Sequence, residues 1–326
     1  MSYKPLFDPD EETSLKDTYK IHDLKGDVRD GEVYVYNEEI TLAINVALAT
    51  GRPLLVRGAP GSGKSSLAPN IARKLKWRYY EGVITSRTEA RDLLWTFDAV
   101  RRLGDAQAGS AKPPVEYIEP GVLWWAFNPE SGAFRGRASS ERKGVTPLSD
   151  PSPRKHDRAV VLLDEIDKAD PDVPNNLLVA LGSRKFTVLE TGRTIGSVQV
   201  PLVVITTNNE RALPAAFLRR CVVLALPDPD PNRLQTIGKA HIKKGIPVGL
   251  FEAAANKFDE LKQQARLLQL REPSAAEYLD LLWACKHLNI TSTTDSRWRD
   301  VSHATLWKHD TPPGPITGPQ NSEEDL

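Results

Sequence analysis

The residues best placed to do chemistry begin with the run GAPGSGKS, Gly58 to Ser65, which fits the pattern G-x-x-x-x-G-K-S/T. In such a loop successive backbone N–H groups point inward, and the helix that follows adds the field of its N-terminus, so the loop cradles phosphate. Glycines allow the unusual backbone angles and the close approach of an anion. Lys64 would reach the β- and γ-phosphates, and Ser65 would ligate Mg²⁺. The cradle as a whole comprises Gly58, Ala59, Pro60, Gly61, Ser62, Gly63, Lys64, Ser65 and Ser66. An apolar run before it and an amphipathic run through Leu75 after it give the strand–loop–helix context that separates this loop from a chance glycine-rich turn.

The second constellation is VVLLDEID, Val160 to Asp167. An acid at the end of a buried strand, downstream of a phosphate loop, holds Mg²⁺; Asp164 fits that role. Glu165 follows directly, placed to orient and deprotonate a water as general base. The adjacent pair separates reaction classes. A kinase needs no water-activating base beside its metal acid, and the N-K-x-D of a small GTPase occurs here only as Asn256 to Asp259, inside the helical run Gly249 to Gln264 rather than after a strand of the core. ATP hydrolysis, with ATP and Mg²⁺ as cofactors, is therefore the expected reaction. Asn208, at the end of LVVITTNN, would hydrogen-bond the γ-phosphate or the attacking water, with Asn209 the alternative if the strand runs one residue longer. In LPAAFLRRC, Leu213 to Cys221, two arginines close a short helix with no phosphate of their own subunit to meet. Either Arg219 or Arg220 would serve as an arginine finger on a neighbour's γ-phosphate, the second being favoured.

These residues need a scaffold, and the chain supplies one. It has 326 residues, 40% of them apolar and 26% charged, enough for about two domains. Lys and Arg number 43 and Asp and Glu 43, a balance that argues against a dedicated nucleic-acid binder. The polar, acidic start and the lack of a long apolar run point to a soluble cytoplasmic protein with no membrane attachment. Cys221 and Cys285 have no metal-ligand spacing and read as reduced, half-buried thiols. The pattern predicts an α/β fold, a three-layer αβα core with a parallel sheet, followed by a small all-helical lid domain. Residues 1–37 form an N-terminal extension in which Glu32 to Tyr36 suggests a strand. Residues 38–228 form the core, with a hairpin turning at Thr191-Gly192; 229–292 form the lid, and 293–326 a polar tail. Residues 129–157 read as a long mobile loop.

The motifs GAPGSGKS, LLDEID, TTNN and FLRRC, in this order and spacing, resemble those of AAA+ ATPases, members of the P-loop NTPase superfamily. The hairpin ahead of the Asn208 strand and the segment YIEPGVLWWAF, Tyr117 to Phe127, are similar to the MoxR-like branch. The resemblance covers roughly residues 38–290. It implies that Lys64 and Ser65 serve phosphate and Mg²⁺, that Asp164 and Glu165 are the metal and catalytic acids, that Asn208 is the sensor and that Arg220 is the finger. It further implies self-association as a ring, a hexamer, with ATP between subunits. The cycle would drive chaperone-like remodelling of a protein client, with a von Willebrand factor A-domain protein as partner. In place of the branch's Ser-Pro-Arg lid sensor stands REPSAAEYLDLL, so either Arg271 would substitute or lid sensing would be weak.

Two other readings share the motifs. One is a nucleic-acid-associated motor, for which Arg101, Arg102, Arg135, Arg137 and Arg142 would supply phosphate contacts. The other is an ATP-dependent assembly switch in a defence or stress system. Within Ile84 to Leu103, Arg87, Arg91 and Trp95 would line a central pore or a partner surface, or else sit on an ordinary helix. Of the adjacent Trp124 and Trp125, either one enters the core while the other is exposed, or both are buried.

Overall fold

The structure is a computed structural model and describes residues 31–309. The described chain divides into two compact units, one of residues 31–59 and 64–227, the other of residues 60–63 and 228–309. Among the described residues no helix is long and apolar enough to cross a membrane.

In the first unit, helix α1 (Glu38–Thr50) starts where the Asn37 side chain accepts from Ile40 N–H, and stops at Gly51, whose φ of 64° few side chains tolerate. Its Ile40, Ala43, Ile44 and Ala47 make one buried stripe. Strand β1 (Leu54–Arg57) leads through the glycine loop into α2 (Lys64–Leu75), and β2 (Arg78–Val83) follows. The chain then forms β3 (Trp95–Phe97), α3 (Ala99–Gln107), β4 (Ile118–Pro120), α4 (Val122–Phe127) and α5 (Pro129–Ala133). Next come β5 (Ala159–Asp164), α6 (Asp172–Ser183), the antiparallel hairpin β6 (Lys185–Val188) and β7 (Arg193–Gly196), then β8 (Leu202–Thr207), α7 (Ala215–Leu218) and β9 (Val222–Ala225).

Five strands pair in the order β2-β5-β8-β1-β9, all parallel. Every residue of β5 and β8 is buried, as expected of strands covered on both faces. The two-residue alternation sends Val161, Leu163, Val203 and Ile205 into one core, with Trp124, Leu177 and Phe217 from the helices. Val160, Leu162, Leu202 and Val204 go into the other, with Ile44, Leu67 and Ile71. This is the expected three-layer α/β architecture. Its consequence for chemistry is that the C-terminal ends of β1, β5 and β8 lie side by side, where open α/β sheets hold ligands.

Three expectations for this unit need correction. Glu32 to Tyr36 is not a strand; the Tyr34 and Tyr36 rings meet at 5.1 Å with their planes tilted by 59°, and Tyr36 OH donates to Asn70. The remainder of the N-terminal extension lies outside the described residues. The segment 129–157 is pinned rather than loose: Leu148 N–H donates to Ala133 O, Tyr80 OH to Asp150, Tyr79 N–H to Ser152 Oγ, and Arg137 is buried against Glu116. Of the two readings of Trp124 and Trp125, the one with both buried holds, because α4 is wedged between the sheet and the β6–β7 hairpin, with Phe186 edge-on to Trp124 at 5.4 Å. The stretch Ile84 to Leu103 is no single helix. Its Trp95 is buried, stacked on Phe186 and bonded through Nε1 to Glu190, so it cannot line a pore.

The second unit contains α8 (Pro231–His241), α9 (Val248–Leu267), α10 (Ala275–His287) and α11 (Trp298–Leu306) around one apolar cluster. A capping box of Ser274 and Glu277 starts α10. The fourth helix corrects the expected polar tail: Leu306 and Trp307 are buried among Leu250, Phe258 and Leu281. Residues 310–326 of that tail lie outside the described residues.

Candidate functional site

The phosphate loop folds as its composition requires. Gly61 and Gly63 take φ of 72° and 87°, left-handed values that a β-carbon disfavours. Lys64 is 5% exposed, and its ammonium donates to Gly58 O (2.9 Å) and Ala59 O (2.8 Å). Burial lowers its pKa, while the charges of Asp164, Asp167 and Glu165 oppose that shift. Two of its three donors are used by the loop carbonyls, which leaves the third for an incoming anion.

Ser65 Oγ donates to Asp164 Oδ1 at 2.7 Å, and Thr206 Oγ1 donates to the same oxygen at 2.6 Å. A hydroxyl and one carboxylate are a sparse set of hard oxygens. That suits Mg²⁺, which usually keeps several waters and takes its remaining ligands from substrate phosphates. The residues present therefore fit the cation, with Ser65 and Asp164 as its protein contacts. Ser62 Oγ, buried in the loop with no partner, is a further polar atom that a bound phosphate would satisfy.

Glu165 sits just past β5 in the left-handed region, φ 61° and ψ 51°, a strain of about 1–3 kcal/mol for a non-glycine residue. Its N–H donates to Thr206 Oγ1 at 2.9 Å, and its carboxylate accepts from Lys168 Nζ at 2.6 Å. Asn208 Nδ2 lies 3.4 Å from Glu165 Oε1 and 3.3 Å from Glu210 Oε1. The structure thus brings Lys64, Ser65, Asp164, Glu165 and Asn208 together at the strand ends. Strand β8 ends at Thr207, and Asn209 turns outward with φ 60°, its N–H on Thr207 Oγ1, so Asn208 is the amide that faces the acid.

Three residues that the sequence reading gave no role complete the site. Thr206 links the two acids. Lys168 holds the Glu165 carboxylate. Asp167, 3% exposed, accepts through Oδ2 from the backbone N–H of Asn208 (3.1 Å) and of Glu210 (2.9 Å) and so fixes the loop that carries Asn208. Asp167 was visible as the last letter of VVLLDEID, but its partners lie some forty residues on, and only the β5–β8 pairing reveals them.

Other expected residues lie elsewhere. Arg219 and Arg220 are exposed before β9, away from the phosphate loop of their own chain. Arg271 belongs to the helical unit, where it pairs with Glu277 at 2.9 Å. Arg91 approaches Glu89, and Arg87 lines a cavity of about 410 Å³ with Asp92 and Trp125. The arginines considered for nucleic acid are largely committed within the chain. Arg135 is bonded to Ile118 O and Glu119, Arg137 to Glu116 and Arg142 to Glu130, while Arg101 and Arg102 lie over Tyr117 and Phe97.

Residues 53–221 match the model of the AAA domain, dynein-related subfamily. No curated protein matches the chain. Among solved structures, two single-site variants of RuvB from Thermotoga maritima align with TM-scores of 0.43 at 15% and 16% identity, each over 82% of this chain and 66% of that chain. A third RuvB variant aligns with a TM-score of 0.39 at 14% identity, over 82% and 80%.

Proposed function

This chain belongs to the AAA domain family, in its dynein-related subfamily, and on that premise we propose that it is a MoxR-like, Mg²⁺-dependent ATPase working as a ring. The observation that carries the reading is the meeting of Ser65, Asp164, Glu165 and Asn208 at the ends of three adjacent parallel strands. The loop amides and Lys64 bind the phosphates of ATP. Ser65 and Asp164 would hold Mg²⁺, which would supply charge neutralisation to the phosphate oxygens. Glu165 accepts the proton of the water that attacks the γ-phosphorus, and the bond to the β-phosphate oxygen breaks to leave ADP. Asn208 and Lys168 orient the Glu165 carboxylate. The Glu165–Lys168 pair must loosen for the carboxylate to face the water.

Arg220, which has no phosphate of its own chain to meet, supplies the finger to the next subunit of a hexamer. We assign residues 38–228 to the nucleotide-binding core and 229 to the end of α11 to the lid, whose movement over the cycle remodels a protein client in the cytoplasm. A von Willebrand factor A-domain protein is the partner we propose. The test is the solution mass by light scattering, together with ATP turnover, for wild type and Glu165→Gln with and without ATP–Mg²⁺. ATP-driven assembly that the Gln variant retains while losing turnover supports the reading. A variant that hydrolyses like wild type, or a wild type that binds ATP and stays monomeric, removes it.

A further inference from the structure

The formal charges of the chain cancel, but they are not evenly spread. Two runs of the sheet-bearing unit are almost wholly basic: RKLKWR, Arg73 to Arg78, and SPRKHDR, Ser152 to Arg158. Besides Arg78 they hold Arg73, Lys74, Lys76, Arg154, Lys155 and Arg158, with Asp157 as the one acid. The fold lays the runs side by side. Arg78 N–H donates to Arg158 O and Tyr79 N–H to Ser152 Oγ, both at 3.1 Å, and β2 pairs with β5 from Arg78↔Ala159. One patch results, at the N-terminal ends of β2 and β5. Its cations are exposed except for the half-buried Arg154, while Arg78 turns away to Asp150 at 3.3 Å.

An arginine without an ion pair is ordinary in this unit, where Arg57 and Arg87 among the described residues also have none. The patch is marked instead by cations that neighbour one another, several of them seated on aromatic rings. Arg158 lies over Trp77 at 5.3 Å, His156 is stacked on the same indole at 6.0 Å, and Lys74 lies over Tyr36 at 5.6 Å. Arg73 and Lys74 close α2, where cations suit the helix dipole. That accounts for neither Arg154, Lys155 nor Arg158. Like charges gathered in this way repel one another, a cost that a bound polyanion removes.

That polyanion is not the chain's own nucleotide. Helix α2 starts at Lys64 in the phosphate loop and ends at the patch, 12 residues on, which at about 1.5 Å each is about 18 Å. Nor has the patch the apolar centre of a protein interface. Trp77 is 9% exposed, covered by Arg158 and His156, and Leu75 is the only other large apolar side chain in the two runs. We infer that the patch binds the phosphate backbone of a nucleic acid, irrespective of sequence, with Arg73, Lys74, Lys76, Lys155 and Arg158 as the phosphate contacts. The inference stands apart from the ATPase reading, since it requires neither turnover nor a ring.

The test measures fluorescence anisotropy of a short labelled DNA duplex, and of its single strand, with the full chain. Wild type is compared with the double variant Lys76→Asn, Lys155→Gln and with a control, Lys112→Gln, Lys185→Gln. Asparagine suits position 76, where φ is 57°. The control removes the same charge from exposed sites outside both runs. Wild-type affinity should fall about a hundredfold between about 50 and 200 mM salt, the slope of about four phosphate contacts. The patch variant should bind at least about tenfold more weakly at the lower salt, with a slope shallower by about two, and should melt as wild type does. The control should match wild type. Absence of binding at low salt overturns the inference, as does unchanged affinity in the patch variant. An equal loss in the control also overturns it, because the attraction would then be a diffuse field. Tighter binding of poly-glutamate, or of vesicles containing phosphatidylserine, than of either DNA would reassign the patch to an acidic protein or a membrane and equally overturn it.

Discussion

Replacing Asp167 by alanine tests whether the loop bearing Asn208 is held by one buried carboxylate. Asp167 Oδ2 accepts two backbone N–H groups, and removal leaves both without their partner. An unsatisfied buried donor costs about 1–3 kcal/mol. Asn208 is half-buried and keeps most of that cost, whereas Glu210 is exposed and its N–H is readily hydrated. The expected loss of stability is therefore about 1–3 kcal/mol, read from urea unfolding of purified protein. The buried charge removed with the side chain keeps the value from running higher. Turnover should fall further than stability alone accounts for. Freed from Asp167, Asn208 no longer keeps its 3.4 Å approach to Glu165, and the loss of one orienting contact of about 1.4 kcal/mol is about tenfold in kcat. The ATP KM should barely change, because Lys64 and Ser65 are untouched. Asp167→Asn, which keeps an acceptor oxygen, should fall between wild type and alanine on both readouts. A loss below about 0.5 kcal/mol for alanine, with kcat unchanged, would refute the reasoning.

Three further outcomes follow from packing and charge. Trp124→Ala should cost about 3–5 kcal/mol, read by thermal or urea unfolding, since Trp124 is wholly buried, lies edge-on to Phe186 and donates to Ser131 Oγ. Leu306→Ala should destabilise the helical unit by about 2–5 kcal/mol, which a polar tail would not show; circular dichroism of the melting helices is the readout. The Arg297 guanidinium and N–H hold Asp295 down to about 2, below its usual carboxylate value. A depressed folded-state pKa gives stability that is complete above the unfolded value near 4 and is lost as pH falls toward 2. The melting temperature of wild type should thus fall between those pH values more steeply than that of Asp295→Asn.

The parts of the site legible in the sequence are those whose function depends on neighbours along the chain. A phosphate cradle needs consecutive amides with glycines at set intervals, so Gly58 to Ser65 announces itself, and Asp164 and Glu165 follow because a metal acid and a base share one strand end. The hairpin at Thr191-Gly192 was legible for the same reason. Residues that act through distant partners left weaker traces. Thr206 looks like one more β-branched residue of a buried strand until β8 is seen beside β5. The helix α11 was hidden by composition: its buried face rests on Val301, Ser302 and Leu306, set among arginines, aspartate and histidine that read as tail. Trp124 and Trp125 could not be apportioned by helical angle alone. Both sides of α4 are covered, and a covered helix has no exposed face to assign.

The same distinction orders the chemistry. Asp164 and Glu165 are adjacent in sequence but are made to act differently by what the next strand places against them. Thr206 donates to Asp164 and accepts from the Glu165 N–H, so one hydroxyl fixes the Asp164 carboxylate and the Glu165 backbone at once. Asp167, from the same turn, reaches the opposite way and fixes Asn208. The β5–β8 pairing thereby couples the base to the amide that faces it. A shift of β8 by one residue would break both links together, because alternate strand residues point to opposite faces. The approach of Asn208 to Glu165 is therefore set by sheet register.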